Sequence, residues 1–151
     1  MRRDPSLIPL SQQHHKGLAL GVLTRRSLAE DSSANNIARL ARRAVDRYEL
    51  ELANHFEIEE QILFPAIQTA LGPLSLVAEL IAEHRCMEEL VAQLRAAPSR
   101  PLLEQLCDLL TAHIRREENE LFQMAQAQLP ATVLEELGPV IDARAVRICM
   151  T

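Results

Sequence analysis

His55-Phe56-Glu57-Ile58-Glu59-Glu60-Gln61-Ile62-Leu63-Phe64 and His113-Ile114-Arg115-Arg116-Glu117-Glu118-Asn119-Glu120-Leu121-Phe122 are two copies of one pattern, HxxxEExxLF. Residues four apart lie about 40° apart around an α-helix and one turn along it. Each copy therefore carries a His and a Glu as one unit on one helix face. That face is otherwise apolar: Tyr48, Leu52 and Ile62 share it with His55 and Glu59, and Leu106, Leu110 and Met124 share it with His113 and Glu117. The repeat implies two helical hairpins related by a pseudo-twofold axis.

Outward from the repeats, the chain reads as helix throughout. The first helix runs from a Ser11 cap to about Glu30, and the second from about Ala34 to Phe64. Pro65 is expected to end or kink the second helix, leaving at most a short extension to Leu71 before Gly72-Pro73. The third starts at Pro73 and carries Val77, Leu80, Ile81, Met87, Val91 and Leu94 on one side. After the break Ala97-Pro98-Ser99-Arg100-Pro101, the fourth carries Leu103, Leu106, Leu110, Ile114, Leu121 and Met124 and stops at Pro130. Residues 131–147 form a short fifth helix, interrupted by Gly138-Pro139. The expected fold is all-α: an up-down-up-down four-helix bundle of about residues 10–126 with a short C-terminal helical extension of about 131–147, all one domain, 1–151.

Composition agrees. With 151 residues, three Phe, one Tyr, no Trp and only four Gly, the chain is written in helix formers and is long enough for one core. A net charge of −5 disfavours nucleic acid as a partner. No stretch reads as a membrane span or a signal peptide. Cys86, Cys107 and Cys149 have neither zinc-finger nor redox-motif spacing, so reduced thiols and a cytoplasmic location are expected.

The chemistry lies in the histidines. His55 and His113 face inward by phase, and His84 shares the stripe of Val77, Leu80, Met87 and Val91. In the first helix His15 is flanked by Leu18, Ala19 and Val22. It is therefore the favoured inward candidate, with His14 the lesser candidate ligand and otherwise a surface or outer-sphere group. Each helix thus aims one histidine into the core, and two add a carboxylate. Buried carboxylates are costly unless paired or metal-bound, and six convergent ligands fit two metals better than one. A set without thiolate suits iron, manganese or zinc. Glu60 and Glu118 are read as solvated surface charges. Glu88, one turn past His84, is a further candidate ligand. The glycines Gly17 and Gly21 share one face, where close helix contact is expected.

At His15-Lys16, HFEIE 55–59, Glu83-His84 and HIRRE 113–117 the sequence resembles the hemerythrin-like, or HHE cation-binding, domain family, over roughly residues 10–125. The resemblance implies a non-haem di-iron centre, with His15, His55, His84 and His113 as terminal ligands and Glu59 and Glu117 as bridging carboxylates. Ferritin-like di-iron bundles use Glu-x-x-His, whereas the order here is His-x-x-x-Glu. The family's oxygen carriers place two histidines one turn apart in the third helix; here the second place holds Glu88, which either ligates or leaves a coordination position open. Iron–sulfur-repair relatives carry an N-terminal cysteine segment, and no cysteine here precedes Cys86. The function expected is binding or sensing of oxygen or nitric oxide, with no nucleic-acid or membrane partner and no protein partner specified. The alternatives are a di-iron enzyme of peroxide or nitric oxide detoxification, and iron handling. Whether the protein is an enzyme is left open.

Overall fold

The computed structural model describes residues 2–146. Cys149 and the last residue of the expected extension, 147, lie outside that range. Among the described residues the chain is all helix. A 3-10 turn, Pro5–Leu7, leads into α1, Ile8–Glu30. The second helix, α2, spans 34–71, and α3 is Ser75–Ala96. The fourth, α4, spans 100–128, and α5 is Ala131–Arg144. Helices α1, α2, α3 and α4 close a ring in which α1 packs on α2 and α4, and α3 packs on α2 and α4. This is the expected four-helix bundle.

The helix ends follow local chemistry. The side chains of Ser33 and Ser99 accept from the backbone N–H groups of Asn36 and Leu102, capping α2 and α4. Gly72 ends α2 with φ +83°, a conformation that glycine adopts without a Cβ penalty. Helix α1 starts at Ile8, before the expected Ser11 cap, because Pro9 sits in its first turn, where a missing N–H costs nothing. Helix α3 begins at Ser75 rather than Pro73.

As expected, α2 extends past Pro65 to Leu71, and Pro65 does not end it. The proline follows a π-helical turn, Glu59–Leu63, and lies in the first turn of the α-helical stretch Phe64–Leu71. One expectation about proline is corrected: Pro139 does not interrupt α5, which is continuous. Pro139 and Glu135 are exposed, so solvent can reach the carbonyl that the proline leaves without a donor. At Gly138 α5 lies against the N-terminal turn, where a Cβ would make only ordinary contact with Ser6 at 3.5 Å.

The core is two apolar bodies with a polar stratum between them. One gathers Leu10, Ile58, Phe64, Leu80 and Phe122, with Leu134, Leu137 and Ile141 from α5. The other gathers Leu20, Leu52, Phe56, Met87, Leu110 and Ile114. On each bundle helix the chain passes from one body to the other, and the site residues fall at the crossing.

Candidate metal centre

The crossing on α2 and α4 has a particular backbone. Both helices contain a π-helical turn that starts at the inward glutamate: Glu59–Leu63 and Glu117–Leu121. The N–H of Phe64 bonds the carbonyl of Glu59, and that of Phe122 bonds the carbonyl of Glu117. The sequence repeat is therefore also a backbone repeat. Such single widened turns are common at functional positions in helices. A third, Tyr48–Leu52, lies earlier in α2 and includes buried Glu51, which pairs with Lys16 at 3.2 Å.

The structure brings together His14, His55, Glu59, His84, His113 and Glu117, all buried. Their donor atoms form two groups: His14, His55, Glu59 and Glu117, and Glu59, His84, His113 and Glu117. Within each group the atoms lie within 4.8 Å of one another, and both groups share the two glutamates. His14 Nε2 lies 2.8 Å from Glu117 Oε2, and His113 Nε2 lies 2.8 Å from Glu117 Oε1. His55 Nε2 and His84 Nε2 each lie 3.2 Å from Glu59 Oε1.

Here the sequence reading of α1 is corrected: His14 joins the centre, and His15 is exposed. The buried face of α1 is Pro9, Leu10, Gln13, His14, Gly17, Leu20, Gly21, Thr24 and Leu28, which mixes small and polar residues with leucines. Its glycines allow close approach to α4. A Cβ on Gly17 would meet Ile114 Cδ1 at 2.8 Å, and one on Gly21 would meet Thr111 Oγ1 at 3.2 Å. Val22, by contrast, is 55% exposed. We expect His14→Ala to lose at least about tenfold in metal affinity, a loss at the level of disturbing a metal ligand's surroundings or greater. His15→Ala should match the wild type. Metal titration of the two variants checks this.

Glu88 is also placed elsewhere. It is partly exposed and pairs with Arg85, away from the inward nitrogens. Glu60 and Glu118, expected on the surface, turn back to the centre instead. His84 Nδ1 contacts Glu60 Oε2 at 2.8 Å, and His14 Nδ1 contacts Glu118 Oε1 at 2.8 Å. His113 Nδ1 contacts Glu83 Oε1 at 2.7 Å, and His55 Nδ1 contacts Gln13 Oε1 at 2.9 Å. Each Nδ1 thus faces an outer acceptor oxygen, and each Nε2 faces inward. Arginines back the three carboxylates: Arg3 on Glu118, Arg85 on Glu60, and Arg116 on Glu83 at 3.5 Å. The doubled Glu of each repeat was the signal for Glu60 and Glu118. Gln13 and Glu83 each precede a site histidine directly and had no comparable signal.

Aromatic rings fix the imidazoles. His84 stacks on Phe56 at 3.9 Å between centroids and faces Phe64 at 5.9 Å. His14 stacks on Phe122 at 5.3 Å, and the Arg3 guanidinium lies over the Phe122 ring, 5.2 Å from its centroid.

The electrostatics are those of a cluster with more carboxylate than it can ionise. Burial, and then the neighbouring Glu117, push Glu59 well above the usual carboxylate range. Burial also opposes ionisation of Glu117, but the adjoining Glu59 carboxyl, His113 and His14 hold it well below that range. The two carboxyls are thus pushed in opposite directions, Glu59 toward its neutral form and Glu117 toward its charged one. Burial disfavours charge on His14, yet its bonds to Glu117 and Glu118 outweigh this and raise its pKa. His113 is raised in the same way, against burial, by Glu117 and Glu83. Burial, with His14 beside it, lowers His55 to about 4.

A metal fits this donor set. Buried His55 Nε2, His84 Nε2, His113 Nε2, both Glu59 oxygens and Glu117 Oε1 have no hydrogen-bond partner. Buried polar atoms are rarely left so, and these six all point at one place. Imidazole and carboxylate donors with outward Nδ1–H bonds are the arrangement that orients histidine on a metal.

Comparison with known proteins agrees with this geometry. The model of the hemerythrin HHE cation-binding domain matches residues 7–125. A protein of Nostoc sp. named DNA nickase is 32% identical over 103 residues, which is 65% of this chain and 29% of that protein. The chain therefore spans less than a third of the length of this curated relative. No solved structure matches. With the match covering most of the chain and six inward histidine and glutamate side chains that could hold metal, this protein belongs to the hemerythrin HHE cation-binding domain family, as a metal-binding helical bundle.

Proposed function

We propose that the protein holds two iron ions at this centre and reversibly binds a diatomic gas, oxygen or nitric oxide. The observation that carries this reading is the sharing of Glu59 and Glu117 between the two donor groups. Each ion would be held by two histidines, His14 with His55 and His84 with His113, and both by the two carboxylates. That makes four protein donors per ion. Iron commonly takes six, so positions remain for an external ligand. A ferrous pair supplies adjacent one-electron donors and those open positions.

The chain's own residues do the rest. The outward Nδ1–H bonds fix the imidazoles, and Phe56, Phe64 and Phe122 wall the centre with apolar surface that excludes water. Glu59 gives up its proton when it becomes a ligand. Manganese and zinc suit the same donors, but zinc gives no redox response to oxygen. Reduced Cys86 and Cys107 accord with a cytoplasmic location; among the described residues no helix is long and apolar enough to cross a membrane.

The test is anaerobic loading with ferrous iron, then addition of oxygen or nitric oxide, followed by optical absorption. A stable charge-transfer band that disappears when the gas is removed is expected. Immediate irreversible conversion to ferric protein overturns gas binding and favours a detoxifying enzyme.

A further inference from the structure

We propose that the C-terminal segment, beyond the part of the chain that matches the family, belongs to the metal site: through Asn54 and Gln13 it holds His55 in the tautomer that offers Nε2 to a metal. The inference rests on the two-ion reading above.

Three of the four inward histidines lean on carboxylates, which accept a hydrogen bond through either oxygen. His55 alone leans on a neutral amide, Gln13. An amide has a donor end and an acceptor end. If Gln13 presented its NH2 group, His55 Nδ1 would have to accept, and the imidazole proton would sit on Nε2, facing the site. A protonated Nε2 cannot ligate. Something must hold Gln13 the right way round.

Backbone groups at the end of α5 do so. The Val146 N–H, which can only donate, lies 2.9 Å from Asn54 Oδ1. The Arg144 carbonyl, which can only accept, lies 3.0 Å from Asn54 Nδ2. Together they allow one orientation of the Asn54 amide. With its oxygen so placed, Asn54 receives Gln13 Nε2 at 3.0 Å, and Gln13 Nε2 also donates to the Val146 carbonyl at 3.4 Å. Gln13 Oε1 is left to accept from His55 Nδ1–H. The His55 proton is then on the outer nitrogen, and bare Nε2 faces Glu59 and Glu117 at 3.2 and 3.6 Å. Helix α5 is anchored for this role by Ile141 in the core and by Arg144, which donates to Glu57 and Gln61 on α2. Asn54 and Gln13 are positioning residues.

The test is anaerobic titration of the full chain with Co(II), read by visible absorption. The wild type should take up two Co(II). Asn54→Ala removes the nearer acceptor of Gln13 Nε2 and the side chain that holds Val146, leaving Gln13 only the longer Val146 carbonyl contact, and one of the two ions should bind about tenfold more weakly, the scale of outer-sphere changes at metal histidines, while the other is unchanged. Adding Gln13→Glu to Asn54→Ala should restore the weakened ion, because a carboxylate needs no partner to orient it. Loss of packing alone would not be repaired this way. Two Co(II) with wild-type affinity in Asn54→Ala, or failure of Gln13→Glu to rescue, overturns the relay and leaves the two-ion reading standing. Fewer than two Co(II) in the wild type overturns both.

Discussion

Glu59→Gln and Glu117→Gln should each lose most of the bound metal, a larger effect than any other single substitution at the centre. Each carboxylate belongs to both donor groups, so its loss weakens both ions and leaves excess positive charge in a dry core. Glu60→Gln and Glu118→Gln, which touch only one outer nitrogen each, should weaken binding by roughly 10–100-fold without abolishing it. The two bridging variants should differ once metal is removed. Burial and Glu117 push Glu59 toward its neutral form, so its amide is a near replacement and the metal-free fold should tolerate it. Glu117 is the counter-charge for His14 and His113, and its amide should lower the metal-free melting temperature. Metal analysis and melting of the four variants check both statements. Equal metal content in all four contradicts the assigned roles.

Removing metal should lower the melting temperature, and the loss should grow with pH. In the metal-free protein Glu59, His14 and His113 hold protons more tightly folded than unfolded. Their stabilisation is complete below the unfolded pKa values and is lost as pH rises through the raised folded values. The lowered groups act lower down. His55, at about 4, costs stability only as pH falls below about 6.5, and Glu117 and Glu118 lose theirs as pH falls through the acid range. Above about pH 6.5 the raised groups alone remain, so the metal-free protein weakens as pH rises. Metal binding runs the other way, since fewer protons compete for the same atoms. The difference in melting temperature between loaded and chelated protein should therefore widen from pH 6.5 to 8, with amide exchange in the chelated protein fastest around residues 55–64 and 80–88. A difference that shrinks over that range contradicts the proton assignments.

The bundle was legible because the repeats, the prolines and the apolar stripes all state the same period. So were His55, Glu59, His84, His113 and Glu117, whose neighbours on the helix face are large and apolar. The first helix misled for a physical reason. Apolar phase points at the core only where the core contact is apolar, and α1 meets α4 through Gly17 and Gly21, leaving Val22 in solvent. The glycine stripe runs through His14, and close packing, had it been weighted over hydrophobicity, selects that residue. The π-helical turns were not legible, because a one-residue widening leaves no mark in composition. They let α2 pass Pro65. The outward partners Gln13 and Glu83 come from tertiary pairing across helices, which no single helix period encodes.

The central claim is a carboxylate-bridged pair of metals. A crystal structure of the loaded protein with anomalous scattering from the metal tests it most directly. The account predicts two ions about 4 Å or less apart, one held by His14 and His55, the other by His84 and His113, with Glu59 and Glu117 on both. A single fully occupied ion, or a ligand set containing His15 in place of His14, would contradict it.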